Sequence, residues 1–168
     1  MLLIKSKIQE SNIQGLGLFA DEKARKGQVI GIFPYQADIL TESEYQNEQE
    51  KGNKVIAWSA VRWIGDIFLT GDSIGNEERI NHSTNPTMLY HCGICFAWRN
   101  IEPGEELTVD YKYFLAEDDV NKFTDSGNNE VTVDGIDSHT ALLASAKDLV
   151  RLLNSAKLSC NRVSELNQ

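Results

Sequence analysis

Apolar positions in this chain come in short runs separated by turn residues, and a helical period is clear only near the C-terminus. Residues 2–8 alternate weakly and read as a strand. Gln14-Gly15-Leu16-Gly17 follows as a turn with two glycines, and Leu18-Phe19-Ala20 begins the next apolar run. Lys26-Gly27 turns the chain into Val29-Ile30-Gly31-Ile32-Phe33, a strand rich in β-branched residues. Pro34 interrupts it and marks an edge or a strand end. Glu42 to Lys54 is polar and reads as a short exposed helix or an insertion. Val55 to Leu69 returns to apolar and aromatic residues, Trp58, Trp63 and Phe68 among them, and fits strand pieces either side of Gly65-Asp66. Leu89-Tyr90 and Cys95-Phe96-Ala97-Trp98 read as paired strands around a turn at Gly93. Pro103-Gly104 is a further turn, before a short strand from Leu107 to Tyr111. Short strands with turns about every 8–12 residues predict a mainly β domain over residues 1–115.

The pattern changes after Leu115. Residues 116–137 are acidic and polar and read as a linker or loose loop, with a small hairpin at Val131-Thr132-Val133 before Asp134-Gly135. A C-terminal helix over 138–160 follows, capped by Asp137 or Ser138. Leu142, Ala146, Leu149, Leu153 and Ala156 fall on one helical face. That stripe either packs on the β domain or forms a homodimer interface.

Length and composition add limits. The chain has 168 residues, 41% of them hydrophobic, which suits one domain with a core. It holds no apolar run of membrane-spanning length, and Lys5 follows Met1-Leu2-Leu3-Ile4 at once, so the expectation is an intracellular protein, cytoplasmic or nuclear, without signal peptide. The formal net charge of -9 disfavours direct nucleic acid binding and suits a basic partner such as a Lys-rich protein or peptide. Three cysteines, Cys92, Cys95 and Cys160, are an odd count that argues against a secreted disulfide framework. Cys92 and Cys95 form a C-x-x-C beside His91, but a structural zinc needs four ligands and no second pair is present, so no metal site is expected. The pair is better read as flanking a hairpin turn.

Three segments stand out chemically. Gly15-Leu16-Gly17-Leu18-Phe19-Ala20 brings backbone close to something, or takes positive φ, but lacks the phosphate-binding glycine spacings. Gly75 to Pro86 contains Asn81-His82-Ser83, a run of hydrogen-bonding side chains that either ties a loop together or holds a polar ligand. Ile101-Glu102-Pro103-Gly104-Glu105-Glu106-Leu107-Thr108-Val109-Asp110-Tyr111 leads a turn into a strand ending in Asp-Tyr. In this order and spacing, with Lys26-Gly27-Gln28-Val29-Ile30 and Phe96 to Gly104 flanking them, the segments resemble the SET-domain protein-lysine methyltransferases. The resemblance covers roughly residues 2–115.

The resemblance implies a β-clip-like fold of small curved sheets in which the Asn81-His82-Ser83 and Asp110-Tyr111 segments cross in a knot-like way. It implies S-adenosylmethionine as methyl donor, S-adenosylhomocysteine as product and a lysine side chain of a protein, histone or other basic protein, as acceptor. Gly15, Leu16, Gly17, Asn81 and His82 match the cofactor-binding positions, with Tyr113 and Phe114 as candidates to stack on adenine. Tyr111 matches the active-site tyrosine, and Glu105 and Glu106 the structural acidic pair. Where the family shows E-Y-x-G, this chain reads Ile32-Phe33-Pro34-Tyr35, so Phe33 holds the channel tyrosine's position or Tyr35 replaces it by a shift. Thr84 and Thr87 stand where many members carry Cys and Asn. Val109 stands where members often have Phe or Tyr, which leaves more room and leans toward multiple methylation. The zinc tail of many members is missing from this sequence, so segment 113–137, the helix or a second subunit would close the site. Two other readings remain: a SET-like module without catalysis that binds a protein partner, and a methyltransferase acting on another acceptor.

Overall fold

The computed structural model describes residues 1–32, 38–72, 75–115, 120–125 and 129–165; side chains 58, 120–125, 129 and 157–165 are left out of the account. The first half of the chain runs β1 (Ser6–Glu10), β2 (Leu16–Ala20), β3 (Val29–Ile32), β4 (Asp38–Thr41), α1 (Glu42–Glu50), α2 (Lys54–Ser59), β5 (Val61–Ile64) and β6 (Ile67–Thr70). Then come β7 (Asn81–His82), β8 (Met88–His91), β9 (Ile94–Ala97), β10 (Thr108–Val109), β11 (Val120–Asp125), β12 (Asn129–Asp134) and α3 (Ser138–Glu165). Three-residue 3-10 turns lie at Glu77–Arg79 and Tyr111–Tyr113.

The glycine turn closes a hairpin. β1 and β2 pair antiparallel with Glu10 opposite Leu16, and Gly15 turns the chain at a φ of 51°, where a side chain would be strained. β3, β9 and β8 form a second antiparallel sheet in that order. Its β8–β9 loop has only two residues, Cys92 at φ 48° and Gly93 at φ 80°. Positive φ at both is the turn whose twist matches that of paired strands. Leu18, Ile30, Met88, Ile101 and Leu107 fill one core cluster and are fully buried, and Leu89 is buried on the opposite face of β8. Each contributes on the order of 1.5–3 kcal/mol of apolar burial.

β7 and β10 lie far apart in sequence yet pair in parallel, Asn81 opposite Thr108 and His82 opposite Val109. The Ser83 amide extends the ladder by donating to the Val109 carbonyl at 3.0 Å. Two buried threonines lock the crossing. The Thr87 amide donates to Thr108 Oγ1 at 3.0 Å, and the Thr108 amide donates to Thr87 Oγ1 at 2.8 Å.

Residues 38–70 form a separate insertion, a three-stranded sheet in the order β4-β6-β5 with two short helices. Thr41 caps α1 in a capping box with Glu44, and Asn53 caps α2. The stretch expected to hold only strand pieces therefore begins as helix, because Asn53 offers Val55 and Ile56 a side-chain acceptor just before the apolar run. The Tyr45 ring stacks on Phe68 with centroids 4.2 Å apart, and the Arg62 guanidinium lies 5.0 Å from the Phe68 centroid.

Between 116 and 137 the described residues form a longer hairpin than the sequence signalled: β11 and β12 pair over six residues each. Val133 on β12 is buried. α3 starts at Ser138, with Asp137 Oδ1 accepting from the Thr140 amide at 3.0 Å, so Asp137 is the cap. α3 packs against β8, β5 and the Tyr111 turn. Its buried face is Ala141, Ser145 and Leu152, one residue before the predicted stripe, and Leu153 of that stripe is 39% exposed. The shift has a physical cause: polar contacts made by Ser145 and Asp148 orient the helix, and the apolar stripe alone could not register them. No helix among the described residues is long and apolar enough to cross a membrane.

Candidate active site

The site begins at the two glycines. Asn81 Nδ2 donates to Glu106 Oε1 at 2.7 Å and reaches the carbonyls of Gln14 and Leu16 at 3.3 and 3.4 Å. One side chain from the crossing thus pins the Gly15-Leu16-Gly17 turn. Ser11 Oγ donates to the same Glu106 carboxylate at 2.8 and 2.9 Å, and accepts from the Ile13 amide at 2.8 Å. Gly17 is required by space: a Cβ there would lie 2.8 Å from Glu106 Cδ and 3.1 Å from Ser11 Cβ. Gly15 is the opposite case, since no atom lies within 4 Å of where its Cβ would stand. The turn therefore presents backbone to open space beside a fixed amide. Glu105 plays a structural part, accepting from Arg99 Nη1 at 2.7 Å and from the Glu102 amide at 2.6 Å.

On the crossing itself, His82 is buried and its Nδ1 accepts from the Tyr111 amide at 3.2 Å. That bond requires an unprotonated Nδ1 and fixes where the Tyr111 turn begins. The Tyr111 hydroxyl donates to the Ile80 carbonyl at 2.7 Å. Burial, with the Glu106 charge adding, pushes the Tyr111 pKa up to about 12. The group is thus a neutral hydroxyl at any physiological pH. With its proton committed to Ile80, its oxygen lone pairs are what it offers to a neighbour.

A cavity of about 240 Å³ lies against this hydroxyl. Ile80, Tyr90, Cys95, Val109, Tyr111 and Phe114 line it from the β core, Ala57, Ser59, Ala60 and Val61 from the insertion, and the carboxyl-bearing Glu77 and Glu78 from the 3-10 turn before Ile80. Phe114 meets Tyr90 edge-on, with centroids 5.3 Å apart, and leans on Tyr111 at 5.0 Å. The insertion is tied to this wall by the Arg62 amide, which donates to the Phe114 carbonyl at 3.3 Å. The Tyr90 hydroxyl is buried with no hydrogen-bond partner among the described residues. Burial raises its pKa well above the usual tyrosine range.

The structure thus brings together Gly15, Leu16, Gly17, Asn81, His82, Val109, Tyr111 and Phe114 around one crossing. Tyr113 points elsewhere, its hydroxyl donating to Asp148 Oδ2 on α3 at 2.8 Å. Phe33 and Tyr35 lie outside the described residues. Tyr90, Ala57 and Ser59 to Val61 were not singled out by sequence as site residues; the signal available for Tyr90 was an aromatic in a short strand. The C-x-x-C pair is structural here: Cys92 sits in the two-residue turn, and Cys95 is buried in β9, where burial pushes its thiol pKa up.

Fold and site together define a mainly β domain whose distant segments cross in parallel beside a glycine cradle and a tyrosine-walled cavity. The SET domain family model matches residues 15–112, more than half of the sequence, and the chain belongs to that family. It is 27% identical over 123 residues to the variant-silencing SET domain-containing protein of Plasmodium falciparum, an alignment covering 64% of this chain and 5% of that relative. Among solved structures it is similar to the Neurospora SET domain protein DIM-5, a histone lysine methyltransferase, with a TM-score of 0.50 and 21% identity. That match covers 66% of this chain and 53% of the other, and it is a likeness of fold.

Proposed function

We propose that this chain is a protein-lysine N-methyltransferase that uses S-adenosylmethionine. The observation that carries the reading is the neutral Tyr111 hydroxyl, fixed by Ile80, at the wall of a mostly apolar cavity built from the same crossing that pins the glycine cradle.

The residues present fit such a cofactor. The open side of Gly15 leaves room for a ligand against backbone, and Asn81, held between Glu106 and the turn, keeps that backbone in place. Gly15, Leu16, Gly17, Asn81 and the His82 backbone would hold it. When bound, S-adenosylmethionine would supply an electrophilic methyl group on a sulfonium sulfur. The protein's task is then the acceptor. A free lysine has a pKa near 10.4, so only about one in a thousand is neutral at pH 7. Val109, Ile80 and Phe114 disfavour the ammonium by withholding water, against the pull of Glu77 and Glu78 on the same cavity; burial raises the Glu78 pKa and so weakens its share of that pull. The Tyr111 oxygen, its proton already donated, can accept from the amine and aim its lone pair. Val109 in place of a larger ring leaves room for an amine that already carries methyl groups. The net charge of -9 favours approach of a basic peptide.

The deciding experiment is transfer of labelled methyl from S-adenosylmethionine to a panel of Lys-rich proteins, histones included. Label on lysine supports the reading. Cofactor binding without transfer to any acceptor would favour a non-catalytic binding module instead.

Two further outcomes are expected. Asn81→Ala weakens cofactor binding about tenfold by calorimetry, the loss of roughly one hydrogen bond's worth of order in the turn. Unaltered affinity would remove Asn81 from the site. The second concerns pH. Because Tyr111 keeps its proton up to about 12, kcat/KM rises from pH 7 to pH 10 as the free amine fraction grows, with no falling limb. A decline in that range that vanishes in Tyr111→Phe would contradict it.

A further inference from the structure

We propose that Asp148, on α3, is a positioning residue for the Tyr111 turn: it holds the Tyr113 hydroxyl and so fixes the backbone from which Tyr111 and Phe114 face the cavity. The kinetic part rests on the methyl-transfer reading of that cavity.

The turn needs an outside hold. Asp110 Oδ1 caps it by accepting from the Lys112 amide at 3.2 Å; its backbone bonds are the Tyr113 amide to the Asp110 carbonyl at 3.4 Å, and the Phe114 and Leu115 amides both to the Tyr111 carbonyl at 3.1 Å. A single 3-10 turn with long, shared bonds is a weak structure. Two of its side chains, Tyr111 and Phe114, line the cavity. Tyr113, between them, leaves in another direction and donates to Asp148 Oδ2 at 2.8 Å. Lys112 does not compete for Asp148, since its Nζ pairs with Asp110 Oδ2 at 2.7 Å. Arg151 reaches the other Asp148 oxygen only at 3.4 Å and is 79% exposed, so it leaves Oδ2 to the tyrosine. Burial raises the Tyr113 pKa, with Asp148 adding, so the hydroxyl stays a donor.

α3 can act as a fixed post because it is anchored independently. Ser145 Oγ bonds His91 Nδ1 at 2.9 Å, and Ala141 and Leu152 are buried beside it. His82, Ile80 and Arg62 hold the two ends of the turn, and Asp148 is the bolt at its middle, from a helix held on β8.

The test compares Asp148→Ala, Asp148→Asn, Tyr113→Phe and Ser145→Ala in the full chain, by amide hydrogen exchange and by steady-state kinetics. Asp148→Ala and Tyr113→Phe are expected to speed exchange of the Phe114 and Leu115 amides about tenfold. They should also lower kcat about tenfold, with the peptide KM within about twofold of wild type. The double variant should be no worse than either single one, because both remove the same bond. Asp148→Asn keeps an acceptor and restores most of both quantities. Ser145→Ala loosens the helix anchor and lowers Tm without selective exchange at the turn. Unchanged exchange at Phe114 and Leu115 in both Asp148→Ala and Tyr113→Phe would overturn the proposal. So would a pattern identical to that of Ser145→Ala. Should the wild type transfer no methyl, exchange alone still decides the bolt, and the missing transfer counts against the proposed activity.

Discussion

Tyr111→Phe is expected to lower turnover about 10²-fold while the protein unfolds at nearly the same denaturant concentration as wild type. The hydroxyl donates to the Ile80 carbonyl, and the ring packs against His82 and Phe114. Phenylalanine keeps the ring contacts, so the cavity wall stays closed. What is lost is the oxygen that aims the amine. Cofactor affinity should change little, because the cradle is pinned by Asn81 and Glu106 and not by Tyr111. Single-turnover transfer with equilibrium unfolding alongside reads both quantities. Turnover equal to wild type would remove Tyr111 from the mechanism; equal loss of stability and turnover would make it a packing residue.

Gly17→Ala should be the more damaging change for the fold. Its φ is not in the left-handed region, so the conflict is one of space. The added methyl would meet the Glu106 carboxylate, and that carboxylate cannot yield without releasing Asn81 and Ser11. We expect a loss of about 2–3 kcal/mol in unfolding free energy, from crowding and broken part-buried hydrogen bonds together. Cofactor binding should fall about 10²-fold, since the turn and Asn81 move together. Adding Glu106→Ala to Gly17→Ala relieves the crowding and should recover part of the stability but not the affinity. If Gly17→Ala binds cofactor as well as wild type, the turn is not the cradle.

The sequence was informative where local chemistry sets the structure. Gly15 at positive φ, the two-residue loop at Cys92-Gly93 and the Asp137 cap follow from rules that act over a few residues. The crossing was legible for another reason: its two segments carry motifs, and the motifs resemble a family whose members cross there. Elsewhere the deciding contacts are long-range. Nothing near Tyr90 announces that Phe114 and the insertion will wall it in. The predicted stripe of α3 meets the β domain at Leu153 and Ala156, beside Gly27, but the most buried positions lie one residue earlier. The polar Ser145 and Asp148 make contacts with His91 and Tyr113 that the stripe did not signal. A hydrophobic stripe locates apolar burial and is blind to polar docking. Tyr113 shows the same limit, since its partner lies on an element more than thirty positions away.

The tie between the insertion and the cavity wall runs from the Arg62 amide to the Phe114 carbonyl, backbone to backbone. Any residue except proline at position 62 can make it. The side chains of the insertion that do not line the cavity can therefore vary while its attachment to the Tyr111 turn persists. Among the described side chains of residues 38–70, only Ala57 and Ser59 to Val61 face the cavity, so the others can be rewritten without touching its wall.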